Sequence, residues 1–164
     1  MIATELKALV LREPRLTLAA AESLTCGRVQ ACIGAVPGAS EFFLGGVTAY
    51  SLAKKVKLLG VNRAAAKKVN SVSAEVAEQM ARGVCALFGS DLGIATTGYA
   101  EPSPKEGVSD PFAWWALAHR RRGRFVRVAS GRIECPGATR IEAQAIVTEA
   151  VVAELVEYLR AVRG

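Results

Sequence analysis

Histidine is almost missing from this chain. His119 is the only one in 164 residues, which argues against a Ser-His-Asp triad, and its place inside an apolar segment beside a basic turn reads as structural. The four cysteines, Cys26, Cys32, Cys85 and Cys135, form no CxxC pair and have no clustered histidines near them. Neither a zinc site nor a secreted disulfide framework is expected, and no metal or other cofactor; a reducing cytoplasm is the natural setting. Aromatics are scarce and sit mostly in apolar, core-like segments, so the basic face interleaved with stacking rings that nucleic acid needs is not expected. No apolar run approaches the ~20 residues of a membrane-crossing helix. The charged, amphipathic start from Met1 to Pro14 is no signal peptide.

What is present is the balance of a folded globule: 51% hydrophobic and 22% charged residues predict one core and a single domain over residues 1–164. A chain of this size buries about two-thirds of its unfolded surface and needs no covalent staple. The net charge of +6 comes partly from the run Arg120, Arg121, Arg122 and Arg124. Such a run reads as a solvated turn, with an attraction for phosphate-bearing small molecules.

Along the chain, a helix is expected from Thr4, carrying Leu6, Leu9, Val10 and Leu11 on one face and ending at Pro14. A short strand, Leu16 to Ala20, then meets the turn Ala21-Glu22-Ser23-Leu24-Thr25-Cys26-Gly27 and a helix to about Ile33, with Ser23 or Thr25 as its cap. Pro37-Gly38-Ala39-Ser40 is a turn, with Ser40 able to cap the short helical piece after it. Gly46 to Ser51 reads as a strand, Ser51 to Leu59 as a helix ending near Gly60, and Ser73 opens a long amphipathic helix that Gly89 ends. Leu92 to Thr96 is a buried strand, followed by a loop from Tyr99 to Pro111. Phe112 to His119 and Phe125 to Glu134 form a hairpin, and Ala138 to Val162 the closing helix. The class is α/β: a single layered domain with a mixed β-sheet flanked by helices. Ser23, Tyr50 and Thr97 fall at strand ends, where ligands of open sheets sit.

These segments, in this order, resemble the CinA C-terminal domain, the nicotinamide mononucleotide (NMN) amidase family. Ala21 to Gly27 is similar to its AES-x-T-G-G signature, Pro37 to Ser40 to its PGSS turn, Tyr50-Ser51 with Lys55 to its Y-S-x-x-x-K motif and Leu59-Gly60-Val61 to LGV. Val72 to Val76 resembles its AVS-x-x-V helix start, Thr97 to Pro102 its TGIAGP segment, and Trp114 to Leu117 its WFAL strand. The resemblance runs from about residue 4 to 160. It implies hydrolysis of the carboxamide of NMN to nicotinic acid mononucleotide and ammonia, without a metal. A small-molecule nucleotide or amide is then the partner, in a homo-oligomer. Larger family members add an N-terminal domain similar to molybdopterin-binding proteins, for which 164 residues leave no room.

Amide cleavage needs a nucleophile, a base and donors for the oxyanion. The resemblance implies a site of Ser23, Ser40, Tyr50, Lys55 and Thr97, with Lys55 as base and Tyr50 as relay or orienting group. The nucleophile is Ser40 or Ser23. Thr25, Gly27, Ser51, Gly98 and Arg140 are the implied substrate-binding positions, and the N–H groups from Ser23 to Gly27 an anion cradle. A lysine serves as base only where burial or a nearby cation lowers its pKa.

The chain departs from the family pattern at several points. Cys26 replaces a glycine and is expected to narrow the pocket; Glu101 replaces another and sets negative charge where the family's ligand carries phosphate. The glycine-rich stretch is shortened to Ser103 to Gly107, Pro111 removes an N–H, and Gly137-Ala138-Thr139-Arg140 stands for G-D-R. Two alternatives therefore share the resemblance: a catalytically silent binding or oligomeric module, and an amidohydrolase for a different small amide.

Overall fold

Alternation along one short strand sets up the whole architecture. In β1 (Leu18–Glu22) every residue is buried. Leu18 and Ala20 turn to one face, with large aliphatic neighbours, and Ala19 and Ala21 to the other, with small ones. The computed structural model describes residues 2–164; Met1, where the expected domain begins, lies outside the described residues. The sheet continues through β2 (Phe43–Thr48), β3 (Leu92–Tyr99), β4 (Phe112–Arg121) and β5 (Arg124–Glu134), in the spatial order β2-β1-β3-β4-β5. The pairs of β1 with β2 and with β3 are parallel; β3 with β4 and β4 with β5 are antiparallel. This is the mixed sheet expected.

Helices cover both faces. On the first lie α1 (Ile2–Leu11), α2 (Arg28–Gly34) and α6 (Arg140–Arg163), whose Val10, Ile33 and Leu155 pack on Leu18, Ile94 and Leu117. On the second lie α3 (Leu52–Leu59), α4 (Arg63–Lys68) and α5 (Ala74–Phe88). There the strands present Ala19, Ala21, Ala95, Ala116 and Ala118, so α5 settles close to the sheet and its packing depends on small residues.

Gly83 carries this to its limit between helices. A Cβ added there would stand 2.0 Å from the Leu59 carbonyl oxygen at the end of α3. Gly83→Ala is expected to cost roughly 1–3 kcal/mol, read as a lowered Tm by circular dichroism. An unchanged Tm would mean that α3 and α5 separate without penalty.

Several expected caps are present. Ser51 and Ser73 accept the N–H of Lys54 and Val76, and Gly60 and Gly89 end α3 and α5 in the left-handed region; α6 adds a capping box of Thr139 with Glu142 that is not expected from the sequence. Others are not. Gly27, not Ser23 or Thr25, is the N-cap of α2, and Ser40 sits inside a single turn, Ala39–Glu41, whose N-cap is Gly38. The β2 strand ends at Thr48, so Tyr50 and Ser51 lie beyond it, and β3 runs on through Thr97 and Gly98. Helix α4 is not expected from the sequence. Its only buried residue is Ala66, so it shows no apolar period.

Candidate functional site

The site lies where β1, β2 and β3 run out. Ser23 follows the last residue of β1 and is 7% exposed. Lys55 sits one turn into α3, whose inward positions are Leu52, Lys55, Val56 and Leu59. That is the spacing of a core-facing stripe with a lysine in it. Lys55 is 2% exposed, and its Nζ lies 2.9 Å from Ser23 Oγ and 3.0 Å from the Tyr50 carbonyl oxygen. Among the described residues it has no carboxylate partner. Burial alone pushes its amine down to about 8, so a usable fraction is neutral near physiological pH.

A cavity of about 250 Å³ opens in front of this pair, lined also by Tyr50, Asn70, Thr97 and Tyr99. Thr97 is fully buried and donates to the Ser71 carbonyl at 2.7 Å, which fixes the turn Asn70–Ser71 at the cavity wall. Both turn residues hold positive φ, 49° and 61°, a strained setting for non-glycine residues. Asn70 donates to the Tyr99 hydroxyl at 3.1 Å. Tyr99 belongs to the TGIAGP-like segment, but Asn70 is not expected from sequence, because its meeting with Tyr99 depends on how β3 reaches the α4–α5 turn.

Arg140, from the first turn of α6, does not line the cavity but donates to Tyr50 Oη at 2.6 Å and to Glu101 Oε1 at 2.9 Å. The charge of Glu101 is thus met by Arg140, and the Tyr50 hydroxyl faces this arginine while its carbonyl faces the lysine.

Not every expected residue is brought in. Ser40 is exposed and precedes β2, whose Phe43 pairs with Leu18 at the start of β1; Ser23 is at the other end, beside the pair Glu22 and Thr48. A five-residue strand of roughly 16 Å separates them. Ser51 is exposed and spent on capping α3. Gly98 does line the cavity, but a Cβ there would meet the Phe112 carbonyl oxygen at 2.4 Å, so the β4 backbone already demands glycine. Cys26 is exposed and absent from the cavity wall, which corrects the expectation that it narrows the pocket. Pro111 and the shortened Ser103–Gly107 stretch lie off the wall as well.

The anion cradle expected from Ser23 to Gly27 is taken by the protein itself. Glu22, wholly buried, accepts from Gly27 N at 3.0 Å, Val29 N at 3.1 Å, Gln30 N at 2.8 Å and the Thr25 hydroxyl at 2.5 Å. Thr25 also meets Thr96 on β3 at 2.8 Å. A carboxylate here satisfies the orphan donors at the start of α2. The N–H groups of Leu24 and Thr25, next to Ser23, keep no partner among the described residues.

Five strands between two helical layers, with a serine hydroxyl on a buried unpaired lysine at the strand ends, define a three-layer α/β protein with a serine–lysine pair in a cleft. The chain belongs to the CinA C-terminal domain family, whose profile matches residues 2–159. It is 35% identical over 157 residues to a CinA-like protein of Chlorobium limicola, covering 94% of this chain and 36% of that protein. It is 50% identical over 99 residues to a CinA-like protein of Picosynechococcus, covering 60% and 24%. The chain thus spans between 24% and 36% of the length of these curated relatives. Among solved structures it superposes on competence damage-inducible protein A of Klebsiella pneumoniae with a TM-score of 0.86 and 28% identity, over 97% of this chain and 95% of that one. No described helix is long and apolar enough to cross a membrane, and no group of three or more metal-ligating side chains occurs among the described residues.

Proposed function

We propose that the chain is an amidohydrolase that cleaves the carboxamide of NMN, with Ser23 as nucleophile and Lys55 as base. The observation that carries this reading is the 2.9 Å contact between Ser23 Oγ and an amine lowered by burial to about 8. Neutral Lys55 takes the hydroxyl proton as Ser23 Oγ bonds to the amide carbon, and the carbonyl oxygen takes up the negative charge. The N–H of Leu24, next to Ser23 and without a hydrogen-bond partner among the described residues, supplies a donor for that oxyanion. Lys55 then returns the proton to the amide nitrogen, the C–N bond breaks and ammonia leaves. Water, deprotonated by the same amine, hydrolyses the Ser23 ester to the carboxylate product. The Tyr50 carbonyl holds one N–H of the amine and so limits the directions its lone pair can take.

A second reading, an amide without phosphate, is favoured by one observation: Arg140 is already paired with Glu101, and a phosphate would have to displace that carboxylate. The test of both is ammonia release from NMN, and from nicotinamide in parallel, by the purified protein beside Ser23→Ala and Ser40→Ala variants. The expected result is loss of about 10³-fold or more in Ser23→Ala and full activity in Ser40→Ala. Activity on nicotinamide alone moves the assignment to the smaller amide. No release from either substrate above the Ser23→Ala background sinks the amidase.

A further inference from the structure

A larger cavity, about 620 Å³, lies at the other end of the sheet. It is bounded by the end of α1, the β4–β5 hairpin and the last turns of α6. His119 marks its level, pairing with Leu92 at the start of β3, whereas Thr97 beside the serine–lysine pair is near that strand's end. Its volume is in the range of small-molecule sites.

Four guanidinium groups, Arg12, Arg121, Arg127 and Arg163, share this space with one carboxylate, Glu13, which pairs with Arg15 at 3.3 Å. Arg163 is committed to the carbonyls of Val10, Arg12 and Pro14, and Arg12 to the carbonyl of Arg163. Arg121 and Arg127 are exposed and make no side-chain hydrogen bond or ion pair among the described residues. Burial, together with the charges of Arg12 and Arg121, pushes the Arg163 pKa down. Positive charge is therefore crowded here, and that of Arg121 and Arg127 meets no carboxylate partner among the described residues.

The remaining wall is apolar, formed by Leu16, Val126, Val162 and the Tyr158 ring. His119 lines it too; its Nδ1 lies 2.7 Å from Tyr158 Oη, and its Nε2 is shielded from solvent without a partner. Burial, then Arg121, lowers the imidazole pKa and so favours the neutral ring. The nearby acid, Asp91, is held by Thr17 through its N–H at 2.8 Å and its hydroxyl at 2.9 Å.

Two free, planar, bidentate cations beside an apolar wall match an anion that carries a flat ring. We infer that this cavity is a second ligand site, for an organic phosphate of mononucleotide size, with the phosphate on Arg121 and Arg127 and the ring against Leu16, Val126 and Tyr158. The inference does not depend on the amidase reading, since none of these residues lines the Ser23–Lys55 cavity.

The solitary histidine makes the site directly observable. In proton NMR, the His119 ring resonances are followed while AMP, UMP or inorganic phosphate is added to the protein. A saturable shift is expected with at least one nucleotide, with Kd below roughly 1 mM. Arg121→Ala and Arg127→Ala, both at exposed positions, should weaken it about tenfold or more, and Lys55→Ala should leave it unchanged. Arg127→Ala should also leave amide hydrolysis unchanged, so failure here and failure of the amidase are read separately. No saturable shift with either nucleotide overturns the site. So does an equal response to inorganic phosphate, which means simple anion attraction, and so does undiminished affinity in both arginine variants.

Discussion

Hydrolysis by this protein should rise about tenfold per pH unit below pH 8 and level off above it. The sign follows from the proposed base: Lys55 can take a proton only when neutral, its amine is lowered by burial to about 8, and the cation predominates below that value. Lys55→Arg, charged at every accessible pH, should lose about 10³-fold or more and show no rise. A profile flat from pH 6 to 9 in the wild type would remove Lys55 from the chemistry.

A second readout of the same residue needs no turnover. The folded-state pKa of Lys55 lies below its ordinary value of 10.5, so the buried cation opposes folding. That penalty is fully present below about pH 8 and is relieved as pH rises toward the unfolded-state value. Lys55→Met, of similar length and apolar, should therefore raise Tm at pH 7 by roughly 3–6 °C. The gain should shrink toward pH 10. A Tm that falls at pH 7 would mean that the bonds to Ser23 and the Tyr50 carbonyl outweigh the cost of burying the charge.

Glu22→Gln should be the most destabilising single change at the site. The wild-type carboxylate accepts from three backbone N–H groups and one hydroxyl. An amide offers one acceptor oxygen and turns two donors toward donors, with the whole side chain buried. Unsatisfied buried groups cost about 1–3 kcal/mol each, so a loss of roughly 2–4 kcal/mol and 5–15 °C in Tm is expected. The Ser23 turn should shift with it and lower activity. A Tm within about 2 °C of wild type would show that water or a rearranged turn serves those donors equally well.

These two residues also mark what was legible in the sequence. Lys55 is, but only through the resemblance of Tyr50-Ser51 with Lys55 to the Y-S-x-x-x-K motif; that it lies on the buried face with Leu52, Val56 and Leu59, while Lys54 and Lys57 fall outside it, comes from the structure. Glu22 is not. An acid ending an apolar run reads as the first polar residue of a turn, and nothing in side-chain pattern shows that backbone N–H groups fold back onto it. The same gap explains Ser40: a serine in a turn looks alike at either end of a sheet, and only the parallel register of β1 and β2 sends it away from Ser23. The layered α/β class was legible from the alternation of helical and strand periods. Asn70 and Tyr99 required the tertiary path of β3.

The separations along the chain set an order of assembly. Ser23 and Lys55 are 32 positions apart, within β1, α2, β2 and α3, whereas Tyr50 and Arg140 are 90 apart. Closing the longer loop costs more chain entropy, and contacts distant in sequence form later. On loop length alone the hydroxyl and the amine meet first, and Arg140 reaches Tyr50 only when the last helix docks. A chain whose last helix has not yet docked would hold the contact of Ser23 with Lys55 and lack the bond from Arg140 to Tyr50.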